Sequence, residues 1–117
     1  MRKFSFTKAD RILKRSEFIR LLEVGKKIQN RYFVAVYSPA ENERSRLGIT
    51  VSKRVGKAAT RNRIKRFARE YFRLNRHDMP GYWNIHLIAK KEAAELSSKE
   101  AFLSLQEIFS RIAASKC

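Results

Sequence analysis

The stretch TRNRIKRFAREYFRL, residues 60–74, carries the most structural information in this 117-residue chain. Thr60 is a candidate N-cap and apolar residues recur at helical spacing, so the stretch predicts a helix from Thr60 to Leu74. Its apolar side consists of Ile64, Phe67, Ala68, Tyr71 and Phe72. The opposite side carries Asn62, Lys65, Arg66, Arg69 and Arg73, with Arg61 and Arg63 flanking it. Since no acid is interleaved among these cations, we expect them to be unpaired within the chain and to repel one another.

Positive charge is concentrated around this helix. Twelve basic residues and one acid, Glu70, lie between Arg44 and Arg76, in a chain of formal net charge +16. A phosphate backbone would offset the repulsion and release counterions, with a slope of log K against log salt near −0.9 per phosphate on duplex DNA and about −0.7 on single strands. We therefore favour a nucleic acid as the partner over a helix face that is merely solvated.

The residues before this helix predict a shorter helix and two strands. Ser16 is a candidate N-cap and Gly25 a helix stop, and the residues between them place Phe18, Leu21 and Leu22 on one face. The segments 31–38 and 46–52 are rich in aromatic and β-branched residues and predict two strands, expected to be antiparallel to each other.

The residues after the basic helix predict a strand and a final helix. Residues 82–89 alternate like a strand, with Trp83, Ile85 and Leu87 on one face. Ser97 and Glu100 form a capping box at the start of the last helix. Its apolar stripe, expected to dock on the sheet, is Phe102, Leu105, Phe109 and Ile112. The predicted order is α-β-β-α-β-α in one domain, residues 1–117.

Several kinds of active site are not supported by the residues. Residues 52–57, SKRVGK, resemble a phosphate-binding loop, but Val51 and Ala58 replace the glycine and hydroxyl residue that such a loop requires. Gly56 is better explained by a turn that brings Lys53 and Arg54 beside the helix N-terminus, which favours anions. The acids are scattered, so we expect no catalytic residues, no bound metal and no small-molecule substrate.

Neither histidine lies in a cluster of metal-ligand residue types. His77 is expected to be solvated, and His86 to be a bound or half-buried imidazole on a strand face with Tyr82, Asn84 and Ile88. Cys117, the only cysteine, is the last residue and closes no intramolecular disulfide. No uncharged stretch approaches the roughly 18 residues of a membrane helix, and Met1–Phe6 shows no apolar signal-peptide run. We expect a cytoplasmic protein with no membrane partner.

The motif around the basic helix resembles the protein subunit of bacterial ribonuclease P. The matching residues are LGITVSKR at 47–54 and RNRIKRFARE at 61–70, and the likeness extends over essentially the whole chain. The resemblance implies an α+β two-layer sandwich with a central mixed sheet packed by helices. It also implies a left-handed βαβ crossover, an exception to the usual hand.

The resemblance also implies a function. In the family, a large RNA uses Mg²⁺ to cleave the 5′ leader from precursor tRNA, and the small basic protein assists it without binding a cofactor itself. The expected partners are ribonuclease P RNA and precursor tRNA. Carried onto this chain, together with the charged face, the RNA-binding residues are Lys53, Arg54, Arg61, Asn62, Arg63, Lys65, Arg66, Arg69 and Arg73.

The resemblance further implies a cleft for the single-stranded leader between the first helix and the sheet. Phe18 matches a cleft aromatic, and Leu22 stands where the family often has another. A third family aromatic aligns with Val36, whereas a shift of one residue would place Tyr37 there and reverse the face. Stacking in such a cleft contributes about 1–3 kcal/mol per base. The alternative for Phe18 is a core residue of a short amphipathic helix.

Three other functions are weighed against this one. A ribosomal or general RNA-chaperone protein would share the basic helix but have no effect on precursor cleavage. A helix-turn-helix DNA-binding protein is disfavoured because strands, not a partner helix, flank the basic helix. A protein-only nuclease is disfavoured because the sequence has no carboxylate cluster to hold metal.

Overall fold

A computed structural model describes residues 11–12, 14–41 and 43–115 of the chain. Met1–Phe6 and Cys117, on which two expectations rest, lie outside the described residues. The interpretation of residues 1–117 as one domain stays a prediction. The helices and strands are α1 (Arg15–Val24), β1 (Lys26–Gln29), β2 (Phe33–Pro39), β3 (Arg46–Thr50), α2 (Ala58–Asn75), β4 (Trp83–Ala89) and α3 (Ser98–Ala114). Short 3-10 turns cover Arg76–Asp78 and Lys91–Glu95.

The described strands form a mixed sheet in the order β1-β2-β4-β3. β4 is antiparallel to β2 and parallel to β3. The α+β class with a central mixed sheet is thereby confirmed. β2 and β3 run in opposite directions, as expected, but they do not pair with each other because β4 lies between them. β3, α2 and β4 form a βαβ unit, whose left hand stays a prediction.

The strand β1 is absent from the predicted order, which is wrong at this point. Lys26–Gln29 has the sequence KKIQ, which lacks the β-branched alternation of a half-buried strand. Three of its four residues are exposed because it lies at the sheet edge. Pairing with β2, from Lys26 opposite Tyr37 to Gln29 opposite Val34, defines it as a strand.

Both N-caps predicted for the first two helices are wrong, although Gly25 does end α1. α1 starts before Ser16, with Lys14 as the N-cap residue, and the Lys14 N–H donates to Glu17 Oε1 at 3.4 Å. α2 starts two residues before Thr60, with Lys57 as the N-cap residue. The turn that buries Val55 directs the chain into the helix early. The capping box of Ser97 and Glu100 is confirmed.

The main core lies between the sheet and the helices α2 and α3. β2 contributes Phe33, Ala35 and Tyr37, and β4 contributes Ile85 and Leu87, all at most 3% exposed. The predicted apolar sides of both helices face this layer, with their innermost residues being Ile64, Ala68, Phe72, Leu105, Ile108 and Ile112. The two-layer description therefore holds for this part of the molecule.

The helix α1 lies on the opposite face of the sheet. Since side chains alternate along a strand, Val36 and His86 point away from the main core. Phe18 of α1 stacks on His86, and Leu21 of α1 is 5% exposed. α1 thus adds a partial third layer to the predicted sandwich.

Candidate RNA interface

The charged side of α2 forms a stripe on the surface of the molecule. Asn62 and Arg66 are exposed, and Arg69 and Arg73 are half-buried. These residues and Glu70 line a shallow groove of about 440 Å³. Burial of the apolar side turns the charged side outward, as the periodicity predicts.

The expectation that all these cations are unpaired is wrong for Arg73. Its guanidinium forms an ion pair with Glu70, three residues earlier on the helix. Within the described ranges, no ion pair joins Lys65, Arg66 or Arg69 to a carboxylate. Partial burial, and then the charge of Arg11, lower the pKa of Arg69. The central part of the stripe is therefore an uncompensated cluster of positive charge.

Two flanking arginines have backbone partners, so the expectation that they are unpaired is also wrong. Arg63 donates from Nη1 to the Leu96 carbonyl at 2.8 Å and from Nη2 to the Ala94 carbonyl at 2.7 Å. Arg61 donates from Nε to the Gly56 carbonyl at 3.2 Å. Arg63 therefore connects α2 to the chain before α3, and its role in RNA binding stays a prediction.

Lys53 and Arg54 lie in the exposed turn that leads into α2. The turn is closed by the Val55 N–H, which donates to the Ser52 carbonyl at 3.1 Å. Lys57, at the N-cap, is exposed as well and supplies no side-chain cap. The first N–H groups of α2 and these cations thus present one electropositive end.

The predicted cleft residues on the α1 face differ in exposure. Phe18 is half-buried, with its ring centroid 3.9 Å from that of His86, and Leu22 is 49% exposed. Val36 faces α1 but is 1% exposed, so it forms the floor and has almost no free surface for stacking. Tyr37 points into the main core. The register with Val36 on the α1 face is therefore the observed one.

His86 organises the floor beneath Phe18, a role that sequence reasoning missed. It is 6% exposed and its Nε2 lies 2.7 Å from Thr50 Oγ1, so of the two expected alternatives the imidazole is bound and not half-buried. Burial lowers the pKa of His86 to about 4, so the ring is neutral near pH 7. A Cβ on Gly48 would lie 2.4 Å from His86 Nδ1. Only glycine therefore fits at position 48 beside this ring. The one signal for this role in the sequence was that His86 alternates with Ile85 and Leu87 along the strand and so faces away from the core.

An ion pair anchors the N-terminal half of α1 to β3. Arg46 Nη2 donates to Glu17 Oε2 at 2.6 Å. The hydrogen bond from Arg46 lowers the pKa of the Glu17 carboxyl. These side chains border a cavity of about 440 Å³ that also includes Arg20 and Asn84. The pair spans 29 residues, and sequence spacing did not indicate it.

The described residues contain no group of three or more His, Cys, Asp or Glu side chains that could hold a metal ion. No helix among them is long and apolar enough to span a bilayer.

Comparison with known proteins finds the same family from sequence and from structure. A family model described as Ribonuclease P matches residues 6–113. The "Ribonuclease P protein component" of Desulfatibacillum aliphaticivorans is 50% identical over 112 residues, covering 96% of this chain and 95% of that protein. The RNase P protein structure from Staphylococcus aureus aligns with a TM-score of 0.82 at 36% identity, covering 91% and 96% of the two chains. That from Thermotoga maritima aligns with a TM-score of 0.79 at 32% identity, covering 86% and 96%.

Proposed function

This chain belongs to the ribonuclease P protein family, and from that premise we propose that α2 binds the catalytic RNA while the α1 face receives the 5′ leader of precursor tRNA. Membership makes the chain a component of a ribonucleoprotein in tRNA processing, with ribonuclease P RNA as its RNA partner. The proposal concerns which surface meets which RNA, and how the protein assists cleavage.

The observation that carries the proposal is the uncompensated charge on and beside α2. Lys53, Arg54, Lys65, Arg66 and Arg69 have no carboxylate partner in the described part of the chain. Bringing such charges together costs free energy in the isolated protein, and RNA phosphates remove that cost while releasing counterions. Arginine adds paired donors that suit phosphate oxygens.

The described residues contain no group of three or more His, Cys, Asp or Glu side chains, so none of them forms a multi-carboxylate site for Mg²⁺. Glu17 and Glu70 each pair with an arginine instead. We assign the metal chemistry to the RNA subunit. The protein then contributes positive charge, which lowers the concentration of divalent ions that the RNA needs to fold and to bind its substrate.

The α1 face supplies the surface for the leader. Phe18 and Leu22 leave apolar area accessible on α1 one turn apart, whereas Val36 is buried on the sheet face that α1 covers. Because Phe18 already stacks on His86, its orientation is set before any RNA arrives. A preorganised ring loses little conformational entropy when a base stacks on it.

The test is a reconstitution with a bacterial ribonuclease P RNA and precursor tRNA at low Mg²⁺. The wild-type protein should stimulate cleavage over RNA alone. Arg66→Ala combined with Arg69→Ala should weaken binding to the RNA about twentyfold at physiological salt and reduce the salt slope by about 1.5. The matched control, Lys26→Ala combined with Lys99→Ala, removes the same charge from exposed positions on β1 and α3.

Each outcome bears on a defined part of the proposal. Absence of stimulation by the wild-type protein would defeat it and leave the RNA-chaperone alternative. Equal losses in the two double variants would show that net charge, not the α2 stripe, binds the RNA. In a second arm, Phe18→Ala should weaken binding of precursor tRNA more than of mature tRNA, and equal weakening would assign Phe18 to the core alone.

A further inference from the structure

The basic stripe of α2 extends beyond the residues considered so far. Asn62, Arg66, Arg69 and Arg73 follow at intervals of three and four residues, and Arg76 continues the same series at the C-cap. The stripe from Asn62 to Arg76 is about 21 Å long at 1.5 Å per residue. Its far end therefore lies well away from Lys53 and Arg54.

A second cavity, of about 280 Å³, opens where the stripe ends. Arg76 and His77 line it from the turn after α2, Arg44 from the chain before β3, and Tyr82 from the position just before β4. Glu43 is the one acid that lines it. Three basic side chains and an aromatic ring thus line one cavity at this end of the sheet.

The backbone around Tyr82 is held in place on both sides, although its ring is 50% exposed. Its carbonyl accepts from the Ala40 N–H at 2.8 Å, and the next residue, Trp83, donates its N–H to the buried Ser45 Oγ at 2.9 Å. Trp83 Nε1 donates to the Pro80 carbonyl at 2.9 Å, which closes the turn before Tyr82. The phenol ring is thus presented to solvent on a rigid support.

The turn itself requires glycine. Gly81 has φ of +80°, a conformation that other residues adopt only with strain. This backbone brings the chain from the end of α2 back to the start of β4 within a few residues. It is what places Tyr82 beside Arg76.

We propose that Tyr82, Arg76 and Arg44 form a subsite for one unpaired RNA nucleotide, separate from the leader cleft on α1. The base would stack on the phenol ring, and the two guanidinium groups would hold its phosphate. This arrangement of an aromatic platform beside cations is how proteins bind single-stranded RNA. Because the subsite continues the α2 stripe, the inference rests on the proposed function.

Two RNAs carry the chemistry that this subsite would recognise, namely ribonuclease P RNA and precursor tRNA. Photo-crosslinking distinguishes them when the protein carries Tyr82→p-benzoylphenylalanine in the assembled complex. The same photoreactive residue at Arg66 is the positive reference, and at Leu103, which is 58% exposed on α3, it is the negative reference. A crosslink from position 82 to either RNA supports the subsite. The RNA that carries the crosslink is the one that supplies the bound nucleotide.

Binding measurements give an independent readout. Tyr82→Ala should raise the Kd for the labelled RNA at least about fivefold, whereas Tyr82→Phe, which keeps the ring, should stay within about twofold. Leu103→Ala is the matched control and should leave the Kd unchanged. Circular dichroism of each variant verifies the fold.

The two proposals fail in different ways. No crosslink from position 82, with strong labelling from position 66, would overturn the subsite and leave the proposed function intact. An unchanged Kd for Tyr82→Ala would also overturn the subsite and would show that Tyr82 is an exposed residue with no part in RNA binding. Absence of labelling from position 66, together with no stimulation of cleavage, would overturn both.

Discussion

The two faces of the sheet differ in how their buried groups are satisfied. On the face covered by α2 and α3, strand residues such as Phe33, Ile85 and Leu87 are at most 1% exposed and wholly apolar. On the face covered by α1, three buried side-chain atoms have no partner among the described residues, namely Arg46 Nε, Asn84 Oδ1 and His86 Nδ1. Each such atom costs about 1–3 kcal/mol.

This difference separates stability from binding. The α2 and α3 layers stabilise the fold by burying apolar surface, and the basic stripe of α2 lies on the side away from that surface. The α1 layer covers its face only partly and keeps polar groups beneath it. The two proposed RNA surfaces are thus built differently: charge on the outside of a packed helix, and a half-open cleft over a polar floor.

The largest expected effect contrasts one phenylalanine from each face. Phe72 is fully buried between the sheet and α3, and Phe72→Ala should lower the free energy of unfolding by about 4 kcal/mol. Phe18 is half-buried on α1, and Phe18→Ala should cost only about 1 kcal/mol. Urea denaturation of both variants measures the gap. Similar losses of unfolding free energy in the two variants would contradict the comparison, because α1 would then contribute as much to the core as α2 does.

A smaller effect is expected at the rim of the well-packed face. Arg63→Ala leaves the Ala94 and Leu96 carbonyls without their donor. This edge of the α2 and α3 face would then hold polar atoms without partners, as the α1 face does. The free energy of unfolding should fall by about 2 kcal/mol. Arg66→Ala, three residues further on the same helix, is the control and should change it by less than about 0.5 kcal/mol. An unaffected Arg63→Ala variant would assign that side chain to RNA binding alone.

The smallest expected effect is the pH dependence that His86, on the α1 face, gives to the free energy of unfolding. Because burial lowers the pKa of His86 from 6.5 to about 4, the unfolded chain takes up a proton in this range that the folded protein excludes. The free energy of unfolding should therefore fall by about 1 kcal/mol from this residue between pH 6.5 and pH 5.5, continue to fall toward pH 4, and be independent of this residue above pH 7.

The measurement is the difference between the parent and His86→Val in urea at pH 7.0, 5.5 and 4.5. Glu17, whose carboxyl pKa is lowered by Arg46, loses its contribution only at more acidic pH and does so in both proteins. Parallel curves for parent and His86→Val would contradict the assignment.

Much of the fold was predictable because it depends on short-range patterns. Apolar spacing located α2, α3, β2 and β4 to within a few residues, and the Ser97 capping box marked where α3 starts. The exposed positions of Arg66 and Lys53 followed from the same periodicity and from the turn at Gly56. The family motif then supplied the partner RNA, which no local pattern specifies.

The unpredicted features of the sheet, and the partners of Arg63, depend on residues distant in the chain. β1 is a strand only because β2 offers it hydrogen bonds, and β4 separates β2 from β3 because α2 returns the chain between them. The partners of Arg63 lie 31 and 33 residues away. No local pattern contains such information.

The sequence by itself determined the amphipathic basic helix, the excess of positive charge and the family. Tertiary structure alone decided which arginines remain available, that Val36 is a floor and not a platform, and that His86 supports Phe18. The physical reason is that periodicity records which side of an element is apolar, whereas hydrogen-bond partners and free surface exist only once separate elements have packed together.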